Sequence, residues 1–312
     1  MKKNNNDIEI IQVNISGDDK PGLTAALTGI LAKYDAFILD IGQANIHQTL
    51  TLGILFKTTP QKSGFIMKDL IFAASELGVQ IRFSPVSRKS YKAWVGRQGK
   101  GRYIATLLGR VINASDIARI TEVTAKHGFN IDAIRRLTGR MPLDGHDPRS
   151  RSCIEFSLRG HVDDQTRIAL QKDIMNCTRP GLDVSFQQDD IYRRSRRLIC
   201  FDMDSTLVGA ECIDELAVHP LQLTGRYVGE VVDGRRKAEL LRLLCQFEGI
   251  NIAQSVAVGD GANDLPMIGT AGLGIAYHAK PKVKATAEQN LSTVGLDGIL
   301  YFLGLKDSQI EG

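Results

Sequence analysis

The chain has 312 residues, 43% of them hydrophobic and 24% charged, with a formal net charge of +4. These values exclude a disordered chain and fit a water-soluble protein of about two or three domains. The charge excess is too mild to imply a nucleic-acid partner by itself. No apolar run reaches membrane-spanning length, and the polar start MKKNNND lacks the apolar core of an export signal. Cys153, Cys177, Cys200, Cys212 and Cys245 are odd in number and form no C-x-x-C pair, so they read as reduced, mostly buried thiols. A cytoplasmic protein is expected.

The alternating run IEIIQVNISG opens the chain as a strand and leads through Asp18-Asp19-Lys20-Pro21-Gly22-Leu23 into the amphipathic helix LTAALTGILAKY. Pro21 suits a helix's first turn, and Gly22 permits close backbone approach. Strands ILDIGQANI and TLTLGILFKT, helix GFIMKDLIFAASELG and strand VQIRFSPV follow. The order βαββαβ is the ferredoxin-like plan.

Residues 88–102 carry six basic and no acidic residues, together with Tyr91 and the lone Trp94. Such a segment is either an RNA-contacting patch or, the commoner case, a solvated linker or sheet extension. A second round begins at YIATLLGRV. It continues through helix DIARITEVTAKHG, strands FNIDAIRRLTG and RSCIEFSLRG, helix DDQTRIALQKDIMNC and strand LDVSFQQ. This is βαββαβ again, with the connection 140–149 as a hairpin loop. Residues 189–197 hold Arg193, Arg194, Arg196 and Arg197. They are expected as a solvated linker whose long stems cover apolar surface, rather than as a nucleic-acid patch.

The stretch Leu198-Ile199-Cys200-Phe201 reads as a strand buried on both faces, running into Asp202-Met203-Asp204-Ser205-Thr206. Side chains alternate along a strand, so Asp202 and Asp204 point the same way just past its carboxyl end. Ligands of open α/β sheets bind at that end. Two carboxylates so close repel, and a divalent cation such as Mg²⁺ removes the difficulty. Asp, Ser and Thr after a strand are also ordinary turn and cap residues. The second strand end, Ser255 to Val258 followed by Gly259-Asp260-Gly261-Ala262-Asn263-Asp264, favours a shared phosphate and metal site.

DMDST, the lysine of DGRRKAELL, VGDGANDLPM and AGLGIAYHAKP resemble the signatures of the haloacid-dehalogenase-like phosphatases. The first 188 residues, with their D-K-P-G-L loop, resemble tandem ACT domains, modules that often bind amino acids; packing modules without a ligand are the alternative. The implied organisation is an ACT-like domain at 7–87, a basic linker at 88–102 and a second ACT-like domain at 103–188. An Arg-rich linker at 189–197 and a truncated phosphatase core of Rossmann-like α/β type at 198–312 complete it. The fold class is thus α+β followed by α/β.

The resemblance implies Mg²⁺-dependent hydrolysis of O-phosphoserine, a step of serine biosynthesis, through an aspartyl-phosphate. Asp202 matches the nucleophile and Asp204 the general acid and base. The metal would be held by Asp202, the main-chain carbonyl of Asp204, and Asp260. Lys237 and Asn263 match phosphate or substrate contacts, Glu211 the carboxylate that meets the substrate amine, and Asp264 a residue that orients the metal ligands. A homodimer through ACT sheet edges and an amino-acid effector are also implied; nucleic acid and membrane are not.

The sequence departs from the family after Ala217. A helical cap and a core strand ending in Ser/Thr-Gly-Gly should follow, yet Val218-His219-Pro220 and LTGRYVGEVVDG stand there instead. A parallel crossover needs about a dozen residues or more, so no strand pair fits between Thr206 and Gly225. The strands left are those ending at Phe201 and Val258, LGIAY at 273–277 and LSTV at 291–294, with an apolar edge beside the first. Impaired phosphatase activity is expected, or alternatively an inactive amino-acid-binding protein.

Overall fold

Alternation of apolar residues along β1 (Glu9–Asp18) and β3 (Thr49–Thr58) turns every second side chain toward two helices. Leu50, Leu52, Ile54 and Phe56 are buried, while Thr49 before them and Thr51 between the first two are exposed. Helix α1 (Leu23–Lys33) answers with Leu23, Leu27 and Leu31, and α2 (Pro60–Leu77) with Ile66, Leu70 and Ala74, each set on one helical face. With β2 (Phe37–Ile46) and β4 (Gln80–Pro85) they form an antiparallel sheet of order β2-β3-β1-β4 over a single apolar core.

The structure is a computed structural model and describes residues 8–96, 101–143, 150–160, 163–209 and 232–310. Two units, 1–99 and 100–312, are distinguished by their internal contacts. At the end of the first, residues 88–95 of the expected basic linker form a helix, α3 (Arg88–Val95). The Ser87 hydroxyl accepts from the Ser90 amide at its start, which satisfies one otherwise unpaired helix N–H.

The second unit repeats the plan with β5 (Gly101–Gly109), α4 (Ala114–Lys126), β6 (Asn130–Arg136), β7 (Ser152–Gly160), α5 (Asp164–Met175) and β8 (Leu182–Gln188). Its sheet order, β6-β7-β5-β8, is the same. Even the irregularity recurs, a register shift at Ile38/Asp40 in β2 and at Ile131/Ala133 in β6. Burial differs, however. Strand β5 is buried on both faces, because Leu107 meets the helices while Leu108 joins a cluster with Cys153, Val258, Ile275 and Phe302.

That second cluster belongs to a parallel sheet of order β12-β11-β10-β9: β9 (Leu198–Phe201), β10 (Ser255–Gly259), β11 (Leu273–Tyr277) and β12 (Gln289–Leu291). The last strand lies earlier than the expected 291–294. The amides of Ser292 and Thr293 do not extend the ladder; they donate to the buried Asp183 carboxylate of β8 at 2.8 and 2.7 Å. Gln187 donates to Phe302 O at 2.9 Å, and Gln289 exchanges two hydrogen bonds with the Phe186 backbone. The alternating polar face of β8 is therefore a hydrogen-bonded seam against the parallel sheet. Strand β9 ends the order among the described residues, with Ile199 39% exposed.

Two arginines of 189–197 go further than the expected solvated linker with stems over apolar surface, because their charged heads are buried or partly buried as well. Arg193 is fully buried, with Nη2 donating to the equally buried Glu155 of β7 at 2.7 Å. Arg196 is partly buried and donates to Ala253 O. A guanidinium enters such a place only when a carboxylate meets it, and Glu155 supplies that charge from a strand that sequence order does not bring near.

Asp116 of α4 is buried too, and Arg179 grips it through Nε and Nη2 at 2.8 and 2.7 Å while Arg119 adds a contact at 2.6 Å. The Arg179 hydrogen bonds hold this carboxyl far below the ordinary range, against the opposing effect of burial. A lowered folded-state pKa stabilises above the unfolded value and loses that contribution as pH falls below it. Asp116→Asn should therefore cost about 1.5–3 kcal/mol at pH 7, with the deficit against wild type shrinking below about pH 4. Urea denaturation across pH reads this directly, and a deficit that stays constant into acid would contradict it.

Candidate active site

Strands β9 and β10 run side by side and parallel, Phe201 opposite Val258. The Asp202 amide donates to Val258 O at 2.8 Å, which fixes Asp202 one step beyond the strand end. Asp260 follows β10 at the same edge of the sheet. After it, a short turn at Ala262–Asp264 leads into α7 (Leu265–Ile268), whose early Pro266 needs no amide partner. Asp264 ends fully buried beneath the loop, accepting from the Gly261 amide at 3.0 Å. Gly259 makes this possible, since a Cβ there would stand 2.5 Å from the Asp264 carboxyl.

Helix α6 (Gly234–Phe247) brings the cation. Asp233 caps it by accepting from the Arg236 amide at 2.8 Å, and Leu241 and Cys245 seat it against the sheet. Its first residue touches the Asp260 loop so closely that a Cβ on Gly234 would lie 2.3 Å from Asn263 O. Lys237, one turn in, places Nζ 2.5 Å from Asp202 Oδ1 and 2.7 Å from Asp264 Oδ1. Burial pulls the Lys237 pKa down, but hydrogen bonds to the two carboxylates outweigh it and the net direction is upward. The ammonium is charged at neutral pH, and its contribution to stability fades only in alkali, above the ordinary lysine value.

Oxygens of Asp202, Asp260 and Asp264 lie within 4.8 Å of one another. Three convergent carboxylates near one lysine leave an excess of negative charge. That donor set suits a hard divalent cation such as Mg²⁺, which binds few protein carboxylates and keeps room for phosphate oxygens. Asp202 and Asp260 face the open side and would hold it, while Asp264 is taken up by Lys237 and Gly261.

Of the other expected residues, Asp204 sits in the turn after β9, bridged through its backbone to Val208, and its side chain is outside the three-carboxylate group. Its neighbour Ser205 has φ 55°, a left-handed backbone that a side chain adopts at some cost and that often marks functional turns. Asn263 is exposed at the rim. Glu211 lies outside the described residues. Sequence reasoning passed over Thr206, which is 6% exposed with Oγ1 3.5 Å from Asp260 Oδ1. Its place in D-x-D-S-T was the available signal. It also missed Gly234, for which only the closeness of two loops in space matters.

Residues 221–303 match the haloacid dehalogenase-like hydrolase family and residues 9–84 the ACT domain family. Over those residues the chain is similar to a haloacid dehalogenase-like hydrolase core with an ACT domain ahead of it in sequence; the second βαββαβ repeat shares the topology of the first. More particularly, the chain is homologous along its length to phosphoserine phosphatases. The enzyme of Streptomyces coelicolor is 26% identical over 403 residues, covering 98% of this chain and 94% of the relative. Phosphoserine phosphatase SerB2 of Mycobacterium tuberculosis is 27% identical, covering 96% and 94%. The Vibrio cholerae enzyme is 51% identical over 82 residues, which are 26% of this chain and 25% of that one. An aligned length of 403 exceeds the 312 residues present here, so a long stretch of the first relative has no counterpart.

If Asp260 is a metal ligand, calorimetry should find Mg²⁺ binding in the wild type weakened at least about tenfold in Asp260→Ala, the size expected for losing one charged ligand. Equal binding by the two proteins would remove Asp260 from the site.

Proposed function

We propose that this chain removes phosphate from O-phosphoserine through an aspartyl-phosphate on Asp202. The observation that carries the proposal is the meeting of Asp202, Lys237, Asp260 and Asp264 at the carboxyl end of two adjacent parallel strands. The homology to phosphoserine phosphatases supplies the substrate.

In this reading an Asp202 oxygen attacks phosphorus and the P–O bond to the seryl oxygen breaks. The leaving alkoxide takes the proton of Asp204, giving serine. A water molecule then attacks the phosphorus of the acyl phosphate and gives its proton to Asp204, so phosphate departs and both carboxyl groups return to their starting states. Lys237 holds the phosphoryl oxygens and draws charge from Asp202 as it becomes esterified. Mg²⁺, when bound, supplies further positive charge for the phosphoryl group. Asn263 at the rim and Glu211 would contact substrate.

The site lacks one family device. No Ser-Gly-Gly stands between Thr206 and Lys237, so its hydroxyl and amide donors are missing from the sequence. One well-placed donor is worth about 10²–10³ in rate, and a cap both excludes water and discriminates among esters. Turnover should be slow and unselective, with p-nitrophenyl phosphate cleaved about as readily as phosphoserine, and absent in Asp202→Asn. Steady-state kinetics on both esters decides. Efficient, phosphoserine-selective turnover would refute the impairment, and none at all would leave amino-acid binding as the function.

The ACT domain is proposed to bind serine or a related amino acid at Asp19–Leu23. There Gly22 takes φ 89° to start α1, and Asn45 donates to Asp19 at 2.5 Å. Dimerisation is proposed along β2, whose Phe37 and Ile46 are 58% and 81% exposed. No described helix is long and apolar enough to cross a membrane, and the cytoplasm is the proposed location. Millimolar serine should raise the melting temperature, and sedimentation should give a dimer. An unchanged melting temperature and a monomer would count against each in turn.

A further inference from the structure

A large cavity lies away from the carboxylate cluster. It is a cleft of 1330 Å³ in the second unit, with α5 and the approach to β8 on one side. On the other stand helix α8 (Pro281–Thr286) and β12. Arg110, Arg167, Lys172, Arg179 and Lys284 line it, against Asp183 and Glu288. Arg179 is committed to Asp116, and Arg167 has a polar interaction of its own. Among the described residues Arg110 reaches only Ser150 O, at 3.5 Å. Lys172 and Lys284 make no salt bridge among the described residues, while the Asp183 carboxylate is turned onto the Ser292 and Thr293 amides. Among the described residues the cleft therefore offers three cations without a salt bridge, Arg110, Lys172 and Lys284, against Glu288 at the rim and the buried Asp183, which Lys284 faces.

Two buried atoms point the same way. Asn290 Oδ1 and Ser292 Oγ both belong to residues lining the cleft, and neither has a hydrogen-bond partner among the described residues. The Asn290 amide is fixed by its Nδ2, which donates to Lys284 O at 3.2 Å, so its oxygen is left calling for a donor. The serine hydroxyl can donate to an anion. A buried polar atom without a partner costs about 1–3 kcal/mol; both atoms are closed to solvent in this structure, so a ligand recovers that cost only by turning the Asn290 and Ser292 side chains toward it. The wall also has an apolar part, with Ile168 59% exposed beside Met175 and Pro180.

We propose that this cleft binds a small organic phosphate of the nucleoside monophosphate type. Its phosphate lies among Arg110, Lys172 and Lys284, its flat base lies on Ile168, and its N–H groups meet Asn290. The ligand bridges the second repeat and the hydrolase core, so it stabilises the seam between them. This site is separate from the carboxylate cluster and does not depend on that cluster's reaction.

Adenosine monophosphate titrated into the full chain by calorimetry tests the proposal in three proteins: wild type, Lys237→Ala and the double variant Lys172→Ala, Lys284→Ala. Both substituted lysines of the double variant reach solvent, and circular dichroism checks that it folds. Saturable binding should occur in wild type, persist in Lys237→Ala and fall about tenfold or more in the double variant. The nucleotide should also raise the melting temperature of wild type and not of the double variant. Inorganic phosphate should bind the same place more weakly. The proposal is overturned by loss of binding in Lys237→Ala, by undiminished binding in the double variant, or by no saturable binding to wild type at millimolar nucleotide. Should the double variant fail to fold, Lys172→Glu alone serves in its place, with the same expected and overturning results.

Discussion

Three carboxylates forced into a few ångströms repel one another, and the hydrolase core is arranged around that repulsion. Lys237 relieves part of it by standing between Asp202 and Asp264. To reach there it needs α6 to begin hard against the Asp260 loop, which Gly234 allows, and it needs Asp264 tucked beneath Gly259. Strand, turn and helix are thus fixed by one electrostatic requirement. The remaining negative charge gives the site its appetite for a cation and, through it, for phosphate.

How much of this was legible beforehand follows the range of the interactions. Both ferredoxin-like repeats could be read because Leu50, Leu52, Ile54 and Phe56, or Leu23, Leu27 and Leu31, declare their faces by spacing alone. Asp202 and Asp260 could be read because each ends an apolar run. The burial of Arg193 could not, since its partner Glu155 is 38 positions away on a strand that looks half-solvated. The exact end of β12 was hidden for the same reason, because Asp183 on another sheet claims the amides that would have continued it.

Strand β8 shows how a pattern can be right and its usual meaning wrong. Alternation in LDVSFQQ normally signals one wet face, yet Asp183, Ser185 and Gln187 are all buried. Asp183 accepts from the Ser292 and Thr293 amides, and Gln187 donates to Phe302 O and to Ser185, and such pairing is the condition under which polar groups can leave solvent. The two repeats share a topology but differ in what covers the outer face of the sheet.

That polar seam also bears on how the chain is made. Synthesis runs from the amino end, so the second repeat is complete before residues 255–302, which will cover β8, have been added. An apolar face left waiting in that interval would invite wrong partners. Asp183 and Gln187 can hold water until the parallel sheet arrives and then exchange it for Ser292, Thr293 and Phe302. The polar side chains of β8 thus keep part of the nascent repeat's docking surface solvated, beside the apolar Leu108 and Cys153, until the partner it is shaped for has been synthesised.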